Sequence, residues 1–269
     1  MFFAKILLGT RYIQSYYILL VRHLLSKLSH SRETIFDQFT HAFYSKKISE
    51  SEKAGIDVIE SLRKKLLRSN REIKRVEFGE GSNVLSHAIS TEKVRDICRI
   101  MSKSESECHF LYAVIRTIKP AQCIELGTCL GISTAYIGQA LAQNSNGKLA
   151  SFEGTPDRAA IAIQNIKELH LDSTVTVVKG RFQDSLQDYI QNVEFLDFAF
   201  IDGHHQEEAT LQYFNTMLPK FIKGGIIIFD DIYWSRGMNR AWKTIKSNLR
   251  IVDSMVYRGM GVVQITVNS

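Results

Sequence analysis

Cys123-Ile-Glu-Leu-Gly-Thr-Cys-Leu-Gly-Ile-Ser-Thr134 joins an apolar run, ending in an acid, to a helical pattern through a glycine-spaced turn. Ala121 to Leu126 has the compact apolar character of a buried parallel strand, and Ile132 to Ala142 has the apolar spacing of a following helix. Gly127 and Gly131 allow backbone dihedrals closed to other residues and let a ligand approach main-chain N–H groups at the helix start. The spacing is Glu-x-Gly-x-x-x-Gly. A dinucleotide fingerprint would need glycines at 127, 129 and 132, where the chain has Gly127, Cys129 and Ile132, and the Gly-Lys-Ser/Thr of a P-loop is absent. Two readings stand: a nucleotide-cofactor loop, or a turn that only packs helix on strand.

A second acid separates them. Glu153, in Ala150-Ser-Phe-Glu-Gly-Thr-Pro-Asp157, closes the next apolar run 22 residues after Gly131. A carboxylate at the end of a neighbouring strand can accept hydrogen bonds from vicinal ribose hydroxyls. Its other use is as a turn or cap acid before the helix starting near Pro156. Further strands are expected at Leu149 to Glu153, Val175 to Val178, Leu196 to Asp202 and Ile226 to Asp230. Helices are expected near Asp157 to Leu169, Leu186 to Gln191, Glu207 to Phe221 and Arg240 to Asn248. Such alternation marks a parallel sheet covered on both faces. Arg250 to Tyr257 and Val262 to Val267, joined by Arg258-Gly-Met-Gly261, form a closing antiparallel hairpin.

The order of these motifs resembles the class I S-adenosylmethionine-dependent methyltransferases, in particular their small-molecule O-methyltransferase branch of catechol and caffeoyl-CoA type. The resemblance runs from about Glu105 to Val267. It rests on Glu125-Leu-Gly-Thr-Cys-Leu-Gly131, Glu153, Gly180-Arg-Phe-Gln-Asp184, Phe200-Ile-Asp-Gly-His-His205 and Gly224-Gly-Ile-Ile-Ile-Phe-Asp-Asp231. It implies an α/β, Rossmann-like, seven-stranded and mostly parallel sheet with helices on both faces and a C-terminal antiparallel hairpin; the surplus length and its apolar spacing add an N-terminal helical extension before it. It further implies S-adenosyl-L-methionine as cofactor. Glu125, Gly127, Thr128, Gly131 and Ser133 would hold the methionine end, Glu153 the ribose, Phe182 and Gln183 the adenine side, with Asp202 beside the cofactor.

Asp202, Asp230 and Asp231 all fall at strand ends. In the catechol branch the matching positions hold a divalent cation such as Mg2+, with an amide at the third place rather than Asp231, so the resemblance implies these three as metal ligands. Hard cations take oxygen ligands, and a metal lowers the pKa of an acceptor hydroxyl. Capping of the following Ile232-Tyr-Trp-Ser segment is the alternative for Asp230 and Asp231. His204 and His205 are candidate proton acceptors because imidazole titrates near working pH. His205 comes first, since the resemblance puts the branch's proton-abstracting lysine at its position. His205 and Asp202 are therefore the expected catalytic pair. Tyr233 and Trp234 are candidates to wall a flat acceptor or to cover the sheet edge.

With 269 residues, 45% hydrophobic and 23% charged, the chain has ample length for a large core, and three prolines argue against long disordered linkers. The net charge of +6 is mild. Lysines and arginines between Lys46 and Arg75 are interleaved with acids, which reads as a solvated helix face rather than a nucleic-acid surface. Cysteines at 98, 108, 123 and 129 lack paired spacing and read as reduced buried thiols, consistent with a cytoplasmic compartment and no zinc site.

In Met1 to Ser29 the longest stretch without a full charge, Tyr12 to Val21, is about half of the ~20 residues a membrane span needs. Basic residues punctuate the apolar stretch and no clear cleavage site follows, which disfavours a signal peptide. Ile6, Ile13, Tyr17, Leu20, Leu24 and Leu28 give a helix one apolar face, suited to the core, to a homodimer or to peripheral membrane contact. A second amphipathic helix is expected from Ser49 to Leu67, a loop or hairpin around Val76 to Asn83, and a return to helix from Ile89 through Ile118. Residues 1–90 thus read as an extension serving dimerisation, a lid or membrane contact, and 91–269 as the catalytic domain. The expected activity is methyl transfer to a hydroxyl oxygen of a small-molecule acceptor. The alternatives are a non-catalytic S-adenosylmethionine-binding module and a hydroxylase-like enzyme on the same fold.

Overall fold

The computed structural model describes residues 34–45, 48–74 and 91–266. The expected helix over Met1 to Leu28 and the loop at Val76 to Asn83 lie outside them. The described chain opens with α1 (Ile35–Ser45), whose Phe36, Phe39 and Phe43 recur at helical spacing. Phe39 and Phe43 meet Phe110 edge-on, each with centroids 5.8 Å apart, and Phe110 stacks on Tyr257 at 4.4 Å. α2 (Glu50–Leu67) buries the stripe Ile56, Ile59, Leu62 and Leu66. Both helices thereby join the same apolar cluster that covers one face of the main sheet.

Ser49 caps α2, and Glu52 reciprocates to the Ser49 backbone. Glu52 also accepts from Arg116 Nε at 2.7 Å, which ties the helix start to the body of the protein. Burial alone would raise the Glu52 carboxyl, but the Ser49 donors and the Arg116 guanidinium outweigh it and hold the pKa at about 2. A folded-state pKa below the unfolded value contributes stability above the unfolded carboxylate range, and that contribution is lost as pH falls towards about 2. Glu52→Gln is expected to lower stability by about 1–2 kcal/mol near neutral pH, with screening discounted. Urea unfolding of both proteins from neutral to acid pH checks it: the curves should converge in acid, and a constant gap would overturn the linkage.

A short antiparallel pair, β1 (Glu72–Lys74) and β2 (Thr91–Lys93), leads into α3 (Val94–Met101) and α4 (Glu105–Ile118). The sequence pattern predicts one helix from Ile89 through Ile118. Instead Ser102 to Ser104 breaks it, because Ser104 accepts from the Glu107 N–H and Glu107 returns to the Ser104 N–H, making a fresh N-terminus.

From here strands and helices alternate: β3 (Gln122–Leu126), α5 (Ile132–Gln143), β4 (Lys148–Glu153), α6 (Pro156–Glu168), β5 (Val175–Lys179), α7 (Phe182–Asn192), β6 (Leu196–Ile201), α8 (Glu207–Met217), β7 (Phe221–Phe229), α9 (Arg236–Lys246), β8 (Ile251–Tyr257) and β9 (Met260–Ile265). The main sheet runs β5-β4-β3-β6-β7-β9-β8, parallel from β5 through β7, with β9 and β8 antiparallel. This is the seven-stranded, mostly parallel architecture expected from the sequence. β3 sends the chain outward to β4 and β5 on one side, while β6 and β7 build the other. The order therefore reverses at β3, and the carboxyl ends of β3, β4 and β6 open a crevice there. Among the described residues no helix is long and apolar enough to cross a membrane.

Candidate active site

Gly127 sits where the crevice is tightest. Its φ is 114°, and a Cβ there would lie 2.0 Å from the Asp202 carbonyl oxygen, so only glycine lets the β3 turn lie against the end of β6. The Asp202 N–H donates to the Leu126 carbonyl at 2.8 Å, completing that contact. The loop after β3 spends much of its own polarity internally. The Gly127 and Thr128 N–H groups both donate to the Phe152 carbonyl at 3.0 Å, and Gly131 N–H donates to the Thr128 carbonyl at 2.8 Å.

Glu125, fully buried, accepts from the Ser133, Thr134 and Ser151 hydroxyls at 2.7, 2.5 and 2.6 Å. Burial pushes its carboxyl up, with the three hydroxyls acting against it. Thr128 and Ser133 are likewise buried, Thr128 with its hydroxyl 2.5 Å from that of Ser151. Glu125, Thr128 and Ser133, read from sequence as cofactor contacts, therefore form a polar knot behind the loop and fix its shape. The sequence could show that these types recur at the loop but not that they bond one another.

A cavity of about 750 Å3 opens at the crevice, within the range of small-ligand sites. Of the expected cofactor residues, Gly127, Glu153, Phe182 and Asp202 line it, whereas Gly131 is buried at the start of α5 and Gln183 is exposed away from it. The Glu153 carboxylate accepts from Cys129 N–H at 2.8 Å on one oxygen and Thr155 N–H at 2.7 Å on the other. Each oxygen keeps a lone pair for a further donor. Phe182 lies under the backbone of Gly203, where an added Cβ would reach its ring at 2.6 Å. The four cysteines are free and three are buried, and burial pushes Cys129 up to about 12, so it stays a thiol.

His204 and His205 both face the cavity in the left-handed region, with φ of 62° and 35°. They differ in partners. His204 Nδ1 lies 2.5 Å from the Tyr213 hydroxyl, its ring meets Phe182 edge-on, and burial followed by the neighbouring His205 lowers its pKa. His205 Nε2 lies 3.6 Å from Asp202 Oδ1 and 3.9 Å from Asp231 Oδ2. His205 thus has carboxylates to orient it, while His204 is tied into an aromatic wall.

The three strand-end acids converge as expected, but on an amine the sequence reading did not single out. Lys103, from the break between α3 and α4, donates to Asp230 Oδ2 and lies 3.5 Å from Asp202 Oδ2. Burial disfavours the ammonium, but Asp202 and Asp230 outweigh it and hold it protonated. Burial and the charge of Asp230 push both Asp202 and Asp231 upward. Among the described residues no cluster of three or more His, Cys, Asp or Glu side chains is arranged to hold a metal ion. The expected ligand set of Asp202, Asp230 and Asp231 therefore does not fit a divalent cation as it stands, because a fixed positive charge already lies between two of its members. Ser104 and Glu107 form a capping box that marks a helix start just beyond Lys103, but that pattern carries no sign of the lysine's acidic partners.

A family model described as "Methyltransferase domain" matches residues 124–232, the stretch that carries the crevice. The chain is 29% identical over 133 residues to a catechol O-methyltransferase of Niastella koreensis, covering 49% of this chain and 58% of that protein, which is less than two thirds of its length. It is 30% identical over 140 residues to the catechol O-methyltransferase of Sus scrofa, covering 50% of this chain and 72% of that one. An O-methyltransferase from Bacillus cereus, solved in complex with SAH, superposes with a TM-score of 0.54 at 25% identity, over 61% of this chain and 83% of that one. Similarity at that level means that the chain belongs to the class I S-adenosylmethionine-dependent O-methyltransferases of catechol and caffeoyl-CoA type.

Proposed function

We propose that the chain transfers the methyl group of S-adenosylmethionine to a hydroxyl oxygen of a small-molecule acceptor, with His205 taking the hydroxyl proton. The carrying observation is that Glu153, held by two backbone N–H groups, faces the same cavity as Asp202 and His205. The cofactor, when bound, supplies a methyl already activated by a sulfonium centre. The protein's work is then orientation and proton removal.

Glu153 is suited to the ribose hydroxyls, with Phe182 and Gly203 forming a flat wall on the adenine side. At the other end, His205 accepts the proton, and Asp202 and Asp231, 3.6 and 3.9 Å from its Nε2, stabilise the imidazolium that results. The exposed side chains of Ile100, Met101 and Trp234 rim the mouth and support a flat, largely apolar acceptor.

His205→Ala is expected to slow methyl transfer about 100-fold to 10,000-fold while leaving SAH affinity within about twofold, since it removes a general base and no cofactor contact. Product analysis with methyl-labelled cofactor and a panel of phenols and alcohols checks both points. Absence of labelled product from every hydroxyl acceptor, with SAH binding intact, would sink the O-methyl-transfer reading.

A further inference from the structure

The least expected group in the cavity is the one amine among its acids. Lys103 reaches in from the α3–α4 break, its side chain 14% exposed, and bridges Asp230, 2% exposed, and Asp202, 12% exposed. These two acids come from the ends of β7 and β6, so one ammonium ties together the strand ends that frame the crevice and a segment that rims its mouth. A divalent ion placed between the same carboxylates would meet a fixed positive charge at ion-pair distance, and Lys103 would have to leave first. Moving it out would unpair a lysine that two nearly buried carboxylates now neutralise.

We propose that Lys103 is a tethered cation that stands in for a divalent metal in this site and offers an N–H to the acceptor oxygen. The inference rests on the methyl-transfer reading of the cavity. It also narrows the acceptor class. A metal chelates two neighbouring oxygens, whereas an ammonium is a compact charge with three N–H groups, of which one donates to Asp230 while Asp202 balances the charge from 3.5 Å. One N–H serves one oxygen, so an acceptor with a single hydroxyl suffices and a vicinal pair has no advantage.

Manganese binding followed by electron paramagnetic resonance tests this without relying on turnover. The wild-type protein should leave the spectrum of free Mn2+ unchanged. Lys103→Ser should bind Mn2+ at least about tenfold more tightly, because Asp202 and Asp230 then lack their cation. Stoichiometric Mn2+ binding by the wild type, lost in Asp230→Asn, would overturn the proposal, as would a folded Lys103→Ser that still ignores the ion. If Lys103→Ser does not fold, the wild-type titration with its Asp230→Asn control decides alone. SAH titration of the same samples separates the two claims: a wild type that binds no SAH refutes the methyl-transfer reading, while the Mn2+ result still decides the role of Lys103. With turnover in hand, methylation of a monohydroxy phenol should be unchanged by a chelator, and loss of that activity on chelation would count against Lys103.

Discussion

Gly127→Ala is expected to lower the stability of the protein by roughly 3 kcal/mol or more, the largest loss expected of any one-carbon change in the crevice. Two costs add at this position. A φ of 114° is strained for any side chain, and the new Cβ would lie 2.0 Å from a backbone carbonyl, Asp202 O, which cannot rotate away as a side chain would. The collision can be relieved only by parting the β3 turn from the end of β6, which also displaces Asp202. Gly224→Ala supplies the comparison, since its φ of 88° is likewise positive but nothing lies within 4 Å of the added atom. It should cost only the dihedral term, about 1–2 kcal/mol. Urea unfolding of the two variants measures the difference, and equal losses would mean that the loop does not press on β6 as described.

Glu153→Ala is expected to weaken SAH binding about 100-fold to 10,000-fold. Two hydrogen bonds from ribose hydroxyls to a carboxylate contribute about 1.5–3 kcal/mol each, and each 1.4 kcal/mol is a factor of ten. The substitution also strands the Cys129 and Thr155 N–H groups, which the carboxylate now satisfies at 2.8 and 2.7 Å, so some loosening of the loop adds to the loss. Glu153→Gln separates the two effects. The amide keeps one oxygen for a backbone donor but turns an NH2 towards the other, so its affinity should fall between those of wild type and Glu153→Ala. Calorimetric titration reads all three, with a thermal melt to confirm folding. Unchanged affinity in Glu153→Ala would remove the ribose role and with it the main support for the cofactor site.

Chemistry legible along the chain came where local pattern and site coincide. The apolar run into Glu125, the glycines at 127 and 131, and the acids Glu153, Asp202 and Asp230 closing successive runs all report strand ends. In a doubly wound sheet, strand ends are where ligands sit. The alternation also carried the parallel sheet and the closing hairpin, because side-chain periodicity is a property of each segment taken alone. Boundaries shifted where packing extended a strand or helix beyond its apolar run. β7 begins at Phe221 rather than Ile226, paired through Leu196↔Phe221, and α7 begins at Phe182, whose ring is drawn into the core.

Partnership between distant residues was not legible. α1 exists because Phe39 and Phe43 find Phe110 and Tyr257, residues far along the chain that only folding brings near. The sequence reads Glu125 as a ligand contact, yet three hydroxyls enclose it, since a buried acid needs donors and they come from the first turn of α5 and from β4. Lys103 lies 127 positions from Asp230, and nothing in a local pattern marks a lysine as destined for an acid on another element. The sequence by itself therefore determined the sheet, its strand ends and the acids on them, because each depends on hydrophobic period and glycine geometry within a short window. Which acid faces the cavity, which is enclosed by hydroxyls, and which pairs with an ammonium was decided only by the tertiary structure, since electrostatic pairing acts through space and carries no record in the order of residues.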